Sequence, residues 1–120
     1  MKRTQKIYIY DIAECIEYVE NYMKGVLEGN FLKDHQKQDA VFRRLEIIGE
    51  AAKYISTDFR KKYPEVAWRD ICGLRDKIVH EYFGIDPRKI WHIVKDDLPV
   101  LKKQIAGILE SMNNNQKKLL

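Results

Sequence analysis

Between Trp68 and Phe83 the chain reads W-R-D-I-C-G-L-R-D-K-I-V-H-E-Y-F, and two of these side chains have chemistry beyond keeping a helix in solution. Arg75 carries a fixed guanidinium cation that grips phosphate oxygens. Five residues later His80 carries an imidazole, the side-chain type that exchanges a proton near neutral pH. Together they suit phosphodiester cleavage, in which one group stabilises charge on phosphorus oxygens and another moves a proton. On spacing alone, an arginine and a histidine in one helix are more often a solvated cation and a hydrogen-bonded imidazole.

These residues must be carried by a helix, because Ile71, Leu74, Ile78 and Tyr82 recur at intervals of three and four and form an apolar stripe. Five residues turn a helix through about 500°, so Arg75 and His80 leave its axis roughly 140° apart. They can meet only in a groove shared with a second element or a second copy of the chain.

The other elements follow from the same periodicity. A first helix is expected over Tyr8–Leu27, with Ile9, Ile12, Ile16, Val19, Met23 and Val26 as its apolar side and Gly29-Asn30 as its end. A second spans Lys37–Ile55 on Val41, Leu45, Ile48, Ala52 and Ile55, and Gly49, Ala51 and Ala52 thin one side of it for a close helix crossing. Ser56 or Thr57 caps a short helix through Lys62, before Pro64. Gly84 is expected to stop the central helix, and Asp86-Pro87 opens the last one, whose stripe is Ile90, Val94, Leu98, Leu101, Ile105 and Ile108. Pro99 is expected to kink or break that helix near Val94–Lys95. The reading is an all-α antiparallel four-helix bundle with a short additional helix and a kinked C-terminal helix: one domain over residues 1–112, with a frayed tail over 113–120.

Composition fits this picture. Of 120 residues 45% are hydrophobic and 33% charged, with 6 Gly and 3 Pro, which leaves room for one core and excludes a largely disordered chain. A net charge of +4 permits an acidic partner such as RNA, but both signs are interspersed. No run reaches the length of a membrane span and the start has no signal core, so a cytoplasmic protein is expected. Cys15 and Cys72 have no Cys-x-x-Cys partner and read as reduced packing residues.

Four further groups have bland explanations that outweigh a site. Tyr8, Tyr10, Tyr18 and Tyr22 lie at helical spacing, which marks core margin more often than base stacking. His35 reads as a surface residue and His92 as a structural one. Glu46 and Glu50 stand one turn apart, but no Glu-x-x-His completes a metal site, so none is expected. Glu50 is expected to pair with a cation across the bundle, Arg75 included, and Glu46 to be solvated or paired with Arg43.

R-D-K-I-V-H-E-Y at Arg75–Tyr82 resembles the R-x4-H-x-Y motif of the HEPN superfamily, in its branch of HepT-like toxins. I-I-G-E-A-A at Ile47–Ala52, Y-P-E-V-A-W at Tyr63–Trp68, G-L-R-D-K-I-V-H-E-Y at Gly73–Tyr82 and D-P-R-K-I-W-H-I at Asp86–Ile93 are similar to that family's blocks, in its order and across most of the chain. The resemblance implies the same bundle, paired as a homodimer with two R-x4-H segments facing one cleft. It implies a toxin of a type VII HEPN/MNT toxin-antitoxin system that cleaves RNA without metal or cofactor, the ribose 2′-hydroxyl attacking the neighbouring phosphorus to leave a cyclic phosphate. Arg75 would hold the phosphate, and His80 would act as general base or acid, with protonation of the departing 5′ oxygen favoured and the complementary role left to the His80 of the second copy. Asp76, where many relatives carry Asn, stands one turn before His80 and is expected to orient its imidazole or raise its pKa. Tyr82 would receive AMP from an MNT-type nucleotidyltransferase antitoxin, its added bulk and charge keeping RNA out. The rival reading is a non-catalytic HEPN module that binds a nucleotide or holds a nucleotidyltransferase, a role requiring none of Arg75, His80 and Tyr82.

Overall fold

Thr4 starts the first helix: its backbone is extended and its hydroxyl accepts from the Ile7 N–H at 3.4 Å. The computed structural model describes residues 4–118. Helix α1 (Gln5–Met23) therefore begins three residues before Tyr8. It also ends earlier than Gly29-Asn30, because the chain turns at Gly25, whose φ of 72° is open to glycine at little cost. Leu27 then leads into a separate short helix, α2 (Glu28–Phe31), whose Phe31 ring is fully buried. Gln38, a buried polar side chain, donates from Nε2 to the Phe31 carbonyl at 2.8 Å and so satisfies that turn from the helix that follows.

Helix α3 (His35–Lys53) is capped by Asp34, which accepts from the Lys37 N–H at 3.0 Å. Arg60 closes its end, donating to the Ala52 carbonyl at 2.7 Å and, just beyond the helix, to the Ile55 carbonyl at 3.2 Å. Ser56 caps α4 (Thr57–Lys62) through the Phe59 N–H at 3.1 Å. Trp68, buried at the start of α5 (Trp68–His80), donates its ring N–H to the Tyr63 carbonyl at 3.0 Å and seats that helix on the preceding turn.

Helix α5 stops at His80, and Tyr82–Gly84 form a 3₁₀ turn, so Gly84 ends the turn and not the helix. Tertiary contact decides this boundary: Tyr82 donates its hydroxyl to Asp39 on α3 and packs its ring 5.3 Å from that of Phe42, which draws the chain across α3. Asp86 and Pro87 open α6 (Pro87–His92) as cap and first helical residue. The rod continues through a π turn over Ile93–Asp97 into α7 (Leu98–Lys118). Pro99 has no N–H for the carbonyl four residues before it, and the helix answers by widening, not by breaking. Asn113–Lys118 continue α7, and Leu119 and Leu120 lie outside the described residues.

The stripes converge as an all-α antiparallel four-helix bundle of α1, α3, α5 and the α6–α7 rod. Ile9, Ile12, Ile16, Val19 and Met23 meet Val41, Leu45, Ile48, Ala52 and Ile55, and the stripe residues Ile90, Val94, Leu98, Leu101, Ile105 and Ile108 are buried with them. Helix α5 packs on α3, α3 on α1 and α1 on α7. Between α5 and α7 the bundle opens into a cavity of about 390 Å³ floored by Leu45 and Ile48 and rimmed by Glu65, Asp70 and Asp97. Among the described residues there is no strand and no helix long and apolar enough to cross a membrane.

Candidate active site

The close crossing anticipated at Gly49 places Arg75. A methyl group built on Gly49 would lie 2.1 Å from the Arg75 Cβ and 3.0 Å from the Ile71 carbonyl oxygen, so the stem of Arg75 lies directly on the bare backbone of α3. Its guanidinium is thereby fixed beside the next residue of α3, and donates to Glu50 at 3.3 Å and to Asp76 at 3.2 Å. The expected Glu50–Arg75 pair across the bundle is present, as is the Arg43–Glu46 pair at 3.4 Å. The Arg75 Nε is buried and makes no hydrogen bond. Two carboxylates around one guanidinium reinforce its charge, Asp76 more than Glu50.

Asp76 is engaged on both sides. Lys53, at the end of α3, donates to the same Asp76 oxygen that accepts from Arg75. Lys53 first and Arg75 second hold this carboxyl below the usual carboxylate range. No hydrogen bond joins Asp76 to His80, so within one chain the carboxylate serves the α3–α5 crossing and does not orient the imidazole.

His80 is the last residue of α5 and is exposed, and among the described residues it makes no hydrogen bond or ion pair. Arg75 is held by α3 while His80 stands free at the helix end; a single chain does not join them. Tyr82 lies two residues beyond His80 on the 3₁₀ turn, its hydroxyl on Asp39. That bond, with partial burial, pushes the Tyr82 phenol above its ordinary range. Spacing gives no sign of Lys53 or Asp39, whose partners lie 23 and 43 residues away.

His92 is not in the core: it is exposed on α6, 3.5 Å from Asp96. His35 is exposed at the start of α3, Cys15 is buried and Cys72 half-buried, both free. Among the described residues no group of three or more His, Cys, Asp or Glu could hold a metal ion. Neither the cavity between α5 and α7 nor a smaller one of about 270 Å³ beside Tyr22 and Lys37 includes Arg75, His80 or Tyr82.

A family model described as "Ribonuclease HepT-like" matches residues 12–108, which take in α3, α5 and the turn with Tyr82. A protein of Thermococcus cleftensis named "Probable ribonuclease HepT" is 49% identical over 102 residues, 85% of this chain and 93% of that protein. In Methanocaldococcus jannaschii, a protein named as a "Putative RNase" is 44% identical over 104 residues, 87% of this chain and 95% of its own. Another from that organism, named as a "Gamma-glutamylcyclotransferase and putative RNase", is 41% identical over 116 residues; the match takes in 97% of this chain but only 52% of that protein. No solved structure matches the chain. A helical bundle carrying Arg75, His80 and Tyr82 in R-x4-H-x-Y order, matched over 12–108 by that model, belongs to the HepT-like ribonuclease family.

Proposed function

We propose that this protein is a metal-independent endoribonuclease, the toxin of a type VII HEPN/MNT toxin-antitoxin pair, acting in the cytoplasm and silenced by AMPylation of Tyr82. The observation that carries the proposal is the contrast between the two motif residues: a guanidinium fixed at the α3–α5 crossing and an exposed imidazole at the end of the same helix. Charge stabilisation requires a fixed cation, whereas proton transfer requires an accessible group that substrate can reach.

The Arg75 bonds to Glu50 and Asp76, 3.3 Å and 3.2 Å, are longer than the 2.7–2.9 Å typical of tight charge-assisted pairs. The guanidinium is fixed by its stem on the Gly49 backbone and not by tight ion pairs, so an RNA phosphate can displace one carboxylate or take a remaining N–H. Lys53 already shares Asp76, so the acidic residue beside Arg75 does not face the phosphate unneutralised. In the reaction the 2′-hydroxyl gives its proton to solvent and attacks phosphorus, forming the cyclic phosphate as the bond from phosphorus to the 5′ oxygen breaks. Arg75 stabilises the charge on the non-bridging oxygens, and His80 protonates the departing 5′ oxygen. DNA lacks that nucleophile and is left intact.

Two copies are required to complete the site. Arg75 and His80 diverge on α5, and a homodimer pairing two such helices puts the imidazole of one copy within reach of a phosphate held by the other. Tyr82, half-exposed at 38%, presents its phenol at the same helix end. A phosphodiester there would carry negative charge into the approach to the site and repel RNA. The experiment is incubation of the unmodified protein with single-stranded RNA in EDTA: cleavage leaving 2′,3′-cyclic phosphate ends is expected. Cleavage that appears only after Mg²⁺ is added would sink the metal-independent mechanism.

A further inference from the structure

Phe83 is wholly exposed, three residues beyond His80, and neither Arg75, His80 nor Tyr82 explains it. A phenylalanine at 100% exposure leaves its whole apolar surface in water, whereas its neighbours Val79 at 42% and Tyr82 at 38% are partly covered. The ring is nevertheless mounted on a braced turn. The Glu81 N–H donates to the Lys77 carbonyl at 2.7 Å and the Gly84 N–H to the Glu81 carbonyl at 2.8 Å, closing the backbone on both sides. Tyr82, itself pinned by Asp39 and Phe42, meets Phe83 edge to face at 5.4 Å and 89°, a contact that leaves Phe83 wholly exposed.

We infer that Phe83 is a stacking platform for a base of the RNA that flanks the scissile phosphate. This deepens the ribonuclease reading and rests on it. A wholly exposed aromatic ring, held by hydrogen-bonded backbone beside a proton-transfer group, has the geometry that unstacked bases seek on proteins. Stacking tolerates any base, since each has a π face, so Phe83 positions the strand at His80 without imposing a sequence. It acts through substrate placement and moves no proton.

The test uses the full-length protein and a short single-stranded RNA, with KM and kcat measured separately. Phe83→Ala should raise KM on the order of 10-fold to 100-fold, the loss expected for one base–aromatic stack, with kcat changed far less. Phe83→Tyr should restore KM. Phe83→Trp should both restore KM and give a fluorescence that RNA quenches, above the background of Trp68 and Trp91. Since the ring contributes nothing to the core, helical content should stay the same in all three. If the parent cleaves RNA and Phe83→Ala does so with unchanged KM, the inference is wrong while the ribonuclease reading stands. If light scattering shows that Phe83→Ala splits a dimer, and activity falls with that dissociation, Phe83 is a contact between copies and the stacking role is overturned. A parent that neither binds nor cuts RNA removes the ribonuclease reading and this inference with it.

Discussion

Arg75 and His80 are separable by mutation because their surroundings differ. His80→Ala removes an exposed side chain without hydrogen-bond partners, so it should leave thermal stability unchanged while cutting RNA cleavage on the order of 10²-fold or more. Arg75→Ala should cost at least as much activity, and also some stability, since it leaves Glu50 unpaired and uncovers the Gly49 backbone. Arg75→Lys should not rescue, because one ammonium cannot replace a planar fork placed between two carboxylates. Calorimetry beside a cleavage assay separates the two effects; a His80→Ala protein as active as the parent would end the proposed mechanism. Two titrations carry a definite sign. The Tyr82 phenol should ionise above its ordinary range, and Asp39→Ala should bring it back down, read by phenolate absorbance. The depressed Asp76 carboxyl contributes stability above its ordinary value and loses it as pH falls through the lowered one, so Asp76→Asn should flatten the acid side of the stability profile, more visibly at low salt. For silencing, Tyr82→Phe should keep the packing on Phe42, retain cleavage, and resist the AMP transfer that a partner nucleotidyltransferase and ATP produce on the parent, as read by intact mass.

Among the helices, two glycines of the same type predict opposite outcomes. Gly49→Ala gains helix propensity of roughly 0.5–1 kcal/mol, but its methyl would meet Arg75 Cβ at 2.1 Å and the Ile71 carbonyl oxygen at 3.0 Å. Neither is the far end of a flexible chain, so overpacking of about 1–3 kcal/mol wins and the protein should be less stable. Gly107→Ala in α7 meets nothing within 4 Å and should stabilise by roughly the propensity term alone. Chemical denaturation of both variants checks the sign of each. The crossing was legible in the sequence because Gly-Glu-Ala-Ala thins one face of a helix, and the caps at Ser56 and Asp86-Pro87 were legible because capping is local chemistry. The ends of α1 and α5 were not. Gly25 and Gly29 are indistinguishable by residue type, and only the backbone shows which one takes the left-handed turn. The end of α5 depends on Tyr82 reaching Asp39 and Phe42, contacts about forty residues away that periodicity does not encode. The same limit hid Lys53: spacing put Asp76 one turn from His80, while the fold gives its carboxylate to a lysine on another helix.

For the molecule as a whole, the shared site makes a prediction that size measurement alone does not. Light scattering should show a species above the 14.3 kDa of one chain. If Arg75 and His80 act across the interface, mixing inactive Arg75→Ala and His80→Ala proteins should restore activity. Random exchange gives half mixed dimers, each with one intact site, or about a quarter of parental sites. No recovery after demonstrated exchange would place both residues of each site in one chain.

The π turn at Ile93–Asp97 has a consequence for how the chain tolerates changes in length. A π turn accommodates one residue more than an α turn, so the rod between Asp86 and Lys118 holds a spare residue at that place. Deleting a residue from a regular helix rotates everything after it by about 100° and turns a buried stripe outward. Deleting Asp96, exposed within the turn, together with Pro99→Ala, which removes the ring that an α turn would crowd, should instead let it close to an α turn with Val94 and Leu98 still facing the core, at the loss of an exposed pair with His92. The same deletion at Lys103, in regular α7, should swing Ile105 and Ile108 out of the core and collapse the fold. Single-residue deletion scanning along this rod should therefore find its indel tolerance concentrated in one turn.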